Sequence, residues 1–114
     1  MGTQGWPFAS TDVFPGAEED PLYSAAHMKD IYLRASPEYT GRFTVPVLWD
    51  KKQHTIVSNE SAEIIRMFNT VFNDMVPPEK AALDLCPEHL REEIDEVNAW
   101  VYSTINGACL RAAL

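Results

Sequence analysis

The fold is decided by the stretch Arg42-Phe43-Thr44-Val45-Pro46-Val47-Leu48-Trp49-Asp50, which is followed by Thr55-Ile56-Val57-Ser58-Asn59-Glu60-Ser61. Residues 44–49 are β-branched and aromatic enough to predict a strand, residues 50–54 form a polar turn, and residues 55–57 predict a short returning strand. An apolar-periodic segment comes next. These segments together predict a β-hairpin that leads into a helix.

Pro46 lies inside the first predicted strand, where a proline removes a backbone hydrogen-bond donor. We therefore expect an edge, a bulge or a bend there, with the Val45 amide and carbonyl left free to pair with a peptide-like ligand. The sequence leaves the cis or trans state of the Val45–Pro46 bond open, since about one in twenty X-Pro bonds in folded proteins is cis.

The segment Ser58-Asn59-Glu60-Ser61 predicts the start of a helix, because Ser and Asn side chains accept hydrogen bonds from first-turn amides. A helix N-terminus also favours carboxylates. Placed beside Val45, this end would hold both charged groups of an amino acid, with the carboxylate at Ser61 and the ammonium group at Glu60. The alternative is a capped helix that follows a hairpin and binds nothing.

Helices are predicted on both sides of the hairpin, over residues 22–35 and 60–73. Pro77 and Pro78 end the second of these. Another helix begins at Pro87 and carries an apolar stripe. Residues 1–21 show no helical or strand period and read as a long loop that contains Trp6. The members of the apolar stripe are Leu90, Ile94, Val97, Val101 and Ile105.

Composition limits the possible functions. The chain has 114 residues, 46% of them apolar, which is enough for one modest domain. A net charge of −8 argues against nucleic acid. No stretch approaches the ~20 apolar residues of a membrane span and no leader is recognised, so we expect a cytoplasmic protein without membrane contact. The histidines and Cys86 and Cys109 lack ligand spacing, so we expect no metal.

The sequence resembles the glutathionyl-hydroquinone reductases, the xi class of glutathione transferases. The resemblance rests on the runs 41–52 and 55–69 quoted in part above, and on Gly5-Trp6-Pro7-Phe8, residues 20–32 and residues 93–102 in the same order. It implies an α+β fold: a partial thioredoxin-like domain (helix, β-hairpin, helix) over residues 1–76, then a linker and the first helix of an all-α C-terminal domain over residues 77–114. A homodimer is a further hypothesis.

The resemblance also implies glutathione as co-substrate, aromatic, quinone-derived conjugates as partners, and a partial binding site. The expected glutathione-contacting residues are Trp6, Arg42, Val45, Pro46, Glu60 and Ser61. If no ligand binds, Trp6 would instead anchor the loop that carries it, and Arg42 would be a solvated surface charge.

The reaction that the resemblance implies, the glutathione-dependent reduction of glutathionyl-hydroquinones, requires a cysteine thiolate at a helix N-terminus. In the family this cysteine precedes the equivalent of Trp6, so we expect a truncated form that has no catalytic residue of its own. Cys86 lies between Asp84 and Glu88, which disfavours a thiolate, and Cys109 reads as a packing residue. Two alternatives remain: a non-catalytic interaction module that uses an exposed sheet edge and the amphipathic helix, and a redox enzyme that uses Cys86.

Overall fold

The computed structural model describes residues 3–108, so Cys109 lies outside the described residues. These residues divide into two compact units, one that ends at Ile64 and one that begins at Ile65. The predicted domain boundary after residue 76 stays a prediction. The α-helices are α1 (Met28–Ala35), α2 (Ser61–Thr70), α3 (Pro78–Ala81) and α4 (Arg91–Val101), and the strands are β1 (Leu48–Asp50) and β2 (Thr55–Ser58).

The hairpin forms where the sequence predicts it. β1 and β2 are antiparallel, with Trp49 opposite Ile56 and an irregular register between Leu48 and Trp49. In the turn, the Asp50 carboxylate accepts hydrogen bonds from the amides of Gln53 and Lys52 at 2.9 and 2.7 Å. β1 is shorter than the predicted strand, and residues 44–47 of that prediction do not pair with β2.

The first helix begins six residues later than predicted, and side-chain hydrogen bonds explain the difference. The Asp20 carboxylate accepts the amides of Leu22, Tyr23 and Ala25, each at 3.1 Å. Ser24 also has a φ of 53°, which is incompatible with a right-handed helix. These contacts hold residues 20–25 as a loop, and the helix starts only at Met28.

The core of the first unit forms around α1. Met28, Ile31 and Tyr32 are the buried apolar residues at its centre. Tyr32 also contacts two further rings, with centroids 4.9 Å from Tyr39 and 5.7 Å from Phe43. The half-buried residues that pack around this centre are Phe8, Tyr23, Ala25, Tyr39, Phe43, Val47, Trp49 and Ile56.

The second unit is helical. After α2 come a 3₁₀ turn at Asn73–Met75, the short α3, a 3₁₀ turn at Glu88–Leu90, α4 and a π-helical turn at Tyr102–Asn106. The helix predicted from Pro87 therefore starts with a 3₁₀ turn. Arg66 and Asp95 form an ion pair on its surface. No helix of the described part of the chain is long and apolar enough to cross a membrane.

Candidate functional site

The segment around Val45 has the free edge that the sequence predicts. The Val45–Pro46 peptide bond is cis. Both residues are exposed, and within residues 3–108 neither the amide nor the carbonyl of Val45 hydrogen-bonds to other backbone. This segment can therefore offer one donor and one acceptor to an extended peptide.

The Ser58 side chain makes two hydrogen bonds at the start of α2. Its hydroxyl oxygen accepts the Glu60 amide at 3.1 Å and its proton is donated to the Glu63 carboxylate at 3.0 Å. Glu60 and Ser61 are both exposed. Since the first amides of an α-helix have no partner within the helix, this end presents N–H donors beside a carboxylate and a hydroxyl group. It has the groups that an amino acid's carboxylate and ammonium ends require.

Tyr32 joins these two segments. Its ring belongs to the core, and its hydroxyl donates to the Thr44 carbonyl at 3.1 Å and lies 3.2 Å from the Thr44 hydroxyl. The same oxygen accepts a hydrogen bond from the Asn59 side-chain amide at 3.0 Å. Thr44 precedes Val45 and Asn59 precedes Glu60, so this hydroxyl, together with the β1–β2 ladder, holds the free edge next to the helix start.

Trp6 is fixed by the pairing of its own segment with the beginning of α1. The Trp6 carbonyl accepts the Met28 amide at 2.9 Å, and the Phe8 amide donates to the Ala26 carbonyl at 2.9 Å. Gly5 lies directly against Phe43, with space for no side chain between them. The Trp6 side chain is 54% exposed and therefore available to a ligand.

Substitution of Gly5 with alanine should destabilise this arrangement. Gly5 has a φ of +74°, and an added Cβ would lie 2.6 Å from the Phe43 carbonyl oxygen. Gly16 is the matched control, because its φ is +83° but nothing lies within 4 Å of an added Cβ. We expect Gly16→Ala to lower the free energy of unfolding by about 1 kcal/mol from backbone strain alone. Gly5→Ala should cost about 1–3 kcal/mol more from overpacking.

Urea unfolding of both variants measures this difference. Equal losses of unfolding free energy in Gly5→Ala and Gly16→Ala would show that the contact between Gly5 and Phe43 does not hold the Trp6 segment in place.

Arg42 lies three residues before Val45 and is exposed. Its carbonyl accepts the Tyr39 hydroxyl at 2.9 Å. Its guanidinium forms no ion pair within the described residues, where the pair of Arg66 and Asp95 is the one salt bridge found. Arg42 is therefore the exposed cation nearest in sequence to the free edge.

The loop that carries Trp6 also lines an open cleft of about 530 Å³. Asp20 lies at its wall and is only 8% exposed. Burial raises the pKa of this carboxyl, but hydrogen bonds from the Leu22, Ala25 and Tyr23 amides and the charge of Arg34 outweigh it, so the pKa lies below its usual 3.8. The residues lining the cleft are Pro7, Phe8, Ala9, Ser10, Val13, Phe14, Glu19, Asp20, Ser24 and Ala25.

The cysteines and acidic residues show no reactive or metal-binding cluster in the described ranges. Cys86 is half-buried, and its amide donates to the Asp84 carboxylate at 2.9 Å. Between residues 3 and 108, no group of three or more His, Cys, Asp or Glu side chains is placed to hold a metal ion.

All six predicted site residues are exposed. Tyr32 links the segments that carry Val45 and Glu60, and Gly5, beside Trp6, lies against Phe43, which follows Arg42. The sequence analysis missed Gly5, Thr44 and Asn59 as contacts that support the site, and it assigned no role to Tyr32. A buried tyrosine usually needs a hydrogen-bond partner, and this need could have indicated from the sequence that Tyr32 holds another segment in place. Its partners lie 12 and 27 residues away, however, so the sequence could not name them.

Comparisons with known proteins find homologues of this chain, although no protein-family model matches the sequence. The glutathionyl-hydroquinone reductase YqjG of Escherichia coli is 54% identical over 112 residues, covering 98% of this chain and 33% of the relative. The glutathione-bound structure of YqjG matches with a TM-score of 0.81 and 54% identity, over 90% of this chain and 32% of that one.

The crystal structure of the xi glutathione transferase from Phanerochaete chrysosporium matches with a TM-score of 0.84 and 66% identity, over 90% of this chain and 32% of that one. The chain thus spans about one third of the length of these relatives. The predicted fold class, a partial thioredoxin-like domain followed by helices, is confirmed. The chain is a homologue of the xi-class glutathione transferases and glutathionyl-hydroquinone reductases, and it matches part of their fold.

Proposed function

We propose that this chain supplies part of the glutathione site of a glutathionyl-hydroquinone reductase. The observation that carries the proposal is the Tyr32 hydroxyl, which holds the Val45 edge beside the start of α2. Glutathione has a peptide main chain at one end and a free amino-acid head at the other. It therefore needs both an unpaired edge and a helix start at one site.

Each of the two segments has a part of glutathione to bind. The Val45 amide and carbonyl pair with the main chain of the cysteinyl residue, and Pro46 shapes this edge. Ser61 and the first-turn amides bind the γ-glutamyl carboxylate, while the Glu60 carboxylate binds its ammonium group. Arg42 supplies a cation for the second carboxylate of the ligand, and the Trp6 ring covers it.

The chemistry proposed for the whole protein is the reduction of aromatic, quinone-derived glutathionyl conjugates. A thiolate attacks the sulfur of the conjugate, the carbon–sulfur bond breaks, and the ring carbon takes a proton to give the hydroquinone. The resulting mixed disulfide is cleaved by a second glutathione, which leaves as the oxidised dimer. We assign no nucleophile within residues 3–108. A glutathione-rich compartment such as the cytoplasm suits this reaction.

Titration with reduced glutathione in a calorimeter tests the proposal. Glu60→Ala combined with Ser61→Ala should weaken binding at least about tenfold, because charge-assisted contacts to both ends of the amino-acid head are lost. Glu79→Ala is the control, since Glu79 is an exposed acid in the first turn of α3. Binding that is absent in the unchanged protein, or equal in the variant and the control, would contradict the proposal.

The alternative function is a protein-interaction module, and exposed apolar residues of the second unit favour it. Phe68, Val71 and Trp100 are 58–64% exposed, and such surfaces often mark protein–protein contacts. A homodimer formed through this surface is compatible with glutathione binding. A stable oligomer in gel filtration together with no glutathione binding would favour the interaction module instead.

A further inference from the structure

The Tyr32 hydroxyl has a complete and unusual set of partners for a single side-chain oxygen. Its proton goes to the Thr44 carbonyl, and it accepts hydrogen bonds from the Asn59 amide and the Thr44 hydroxyl. A tyrosine hydroxyl has one donor and two acceptor sites, so this arrangement uses all of them. The residue itself is only 3% exposed, so water has little access to the group.

These partners lie on segments that the hairpin also joins, since Leu48 of β1 pairs with Ser58 of β2. Thr44 is in the irregular segment before β1, and Asn59 is in the connection between β2 and α2. Asn59 has no other hydrogen bond from its side chain within the described residues, so its amide is oriented by Tyr32. Beyond the end of the ladder, the hydroxyl thus fixes the separation between the residues that follow, Val45 on one side and Glu60 on the other.

We propose that Tyr32 is a positioning residue that sets this separation to fit a γ-glutamyl peptide. The inference rests on the proposed function. A ligand that contacts both segments gains affinity only if they are already held at its own spacing, because rigid placement lowers the entropy lost on binding. A ligand that contacts the Val45 edge alone gains nothing from Tyr32.

Tyr32→Phe removes the hydroxyl and keeps the ring in the core. We expect the Kd for reduced glutathione to rise about fivefold to tenfold. Tyr23→Phe is the matched control, because Tyr23 packs against the same core and its hydroxyl bonds to His54 at 2.7 Å and Trp49 at 3.2 Å. The control should leave the Kd within about twofold of the unchanged protein.

A second ligand separates positioning from a general loss of structure. In the α-glutamyl isomer of glutathione, the ammonium and carboxylate groups no longer share one carbon, so the ligand cannot place both at the start of α2. Its Kd, measured by competition with glutathione, should be the same in Tyr32→Phe and the unchanged protein. The preference for glutathione over its isomer should therefore fall by the same factor as the glutathione affinity.

Asn59→Ala gives an independent test should Tyr32→Phe fold poorly. It should raise the glutathione Kd by a similar factor, and the double variant should bind no more weakly than either single one, because both remove the same link. Glutathione binding that is unchanged in Tyr32→Phe and Asn59→Ala would overturn this inference alone. Equal weakening of both ligands would also overturn it. No glutathione binding by the unchanged protein would overturn the proposed function as well.

Discussion

Ile31→Ala should lower the free energy of unfolding by about 3 kcal/mol. Ile31 is 8% exposed and lies beside Met28 and Tyr32 at the centre of the first unit. Alanine removes most of the buried side chain and leaves a cavity that α1 cannot close without moving. Both the lost burial and the cavity destabilise the fold.

Ile65→Ala provides the matched control for this substitution. Ile65 is also on a helix, but it is 67% exposed, so its replacement removes little buried surface. Alanine also forms helices more readily than isoleucine. We expect Ile65→Ala to change the unfolding free energy by less than about 0.5 kcal/mol. Urea unfolding followed by tryptophan fluorescence measures both variants, and similar losses in the two would contradict the assignment of the core to α1.

The same substitution connects stability to the site. The neighbouring residue Tyr32 carries the hydroxyl that links Thr44 to Asn59, and the Met28 amide holds the Trp6 segment. Ile31→Ala should therefore weaken glutathione binding by loosening the core around Met28 and Tyr32, and not by removing a contact to the ligand.

The hairpin and α2 could be predicted from sequence because local pattern decides them. The apolar and β-branched residues on either side of the polar turn at Asp50 act over a few positions, and the apolar period of α2 repeats within one helix. The start of α1 could not be predicted in the same way. The predicted helix begins at Leu22, but Ser24 has a left-handed φ and the Asp20 carboxylate takes the Ala25 amide, and periodicity carries no information about such competition.

The residues of the candidate site also differ in whether the sequence could predict them. Glu60 and Ser61 were predicted as site residues because a capping sequence marks a helix start, and Val45 was predicted because proline marks an interrupted strand. The link between them was not found, because Tyr32 reaches residues that are distant in sequence. Gly5 was likewise missed, because its importance comes from Phe43, 38 positions later in the chain. What local chemistry decides was predictable, and what tertiary contact decides was not.

Asp20→Ala should also lower the free energy of unfolding by about 3 kcal/mol. The carboxylate accepts three backbone amides at 3.1 Å while only 8% exposed, so alanine would leave several N–H groups without partners in a partly buried loop. Asp12→Ala is the control. Asp12 is an exposed acid in the N-terminal loop, so its loss should change little.

The effect of Asp20 should depend on pH with a definite sign. The pKa of its carboxyl is lowered in the folded protein, so the unfolded chain binds the proton more readily. The stabilisation is therefore complete above the unfolded pKa of about 4 and is lost as the pH falls through the lower folded pKa. The difference in unfolding free energy between the unchanged protein and Asp20→Ala should be constant from about pH 5 to 7 and should narrow below about pH 4.

The loop held by Asp20 also supports the site, which gives the substitution a second readout. Ala25 is held by the carboxylate, and the next residue, Ala26, accepts the Phe8 amide two positions from Trp6. Release of the loop should therefore increase the exposure of Trp6 and shift its fluorescence to longer wavelength in Asp20→Ala but not in Asp12→Ala. The Asp20→Ala and Asp12→Ala proteins could instead unfold at the same urea concentration, with no pH-dependent difference in unfolding free energy between them. This result would show that the backbone amides find other partners and that Asp20 does not hold the Trp6 segment in place.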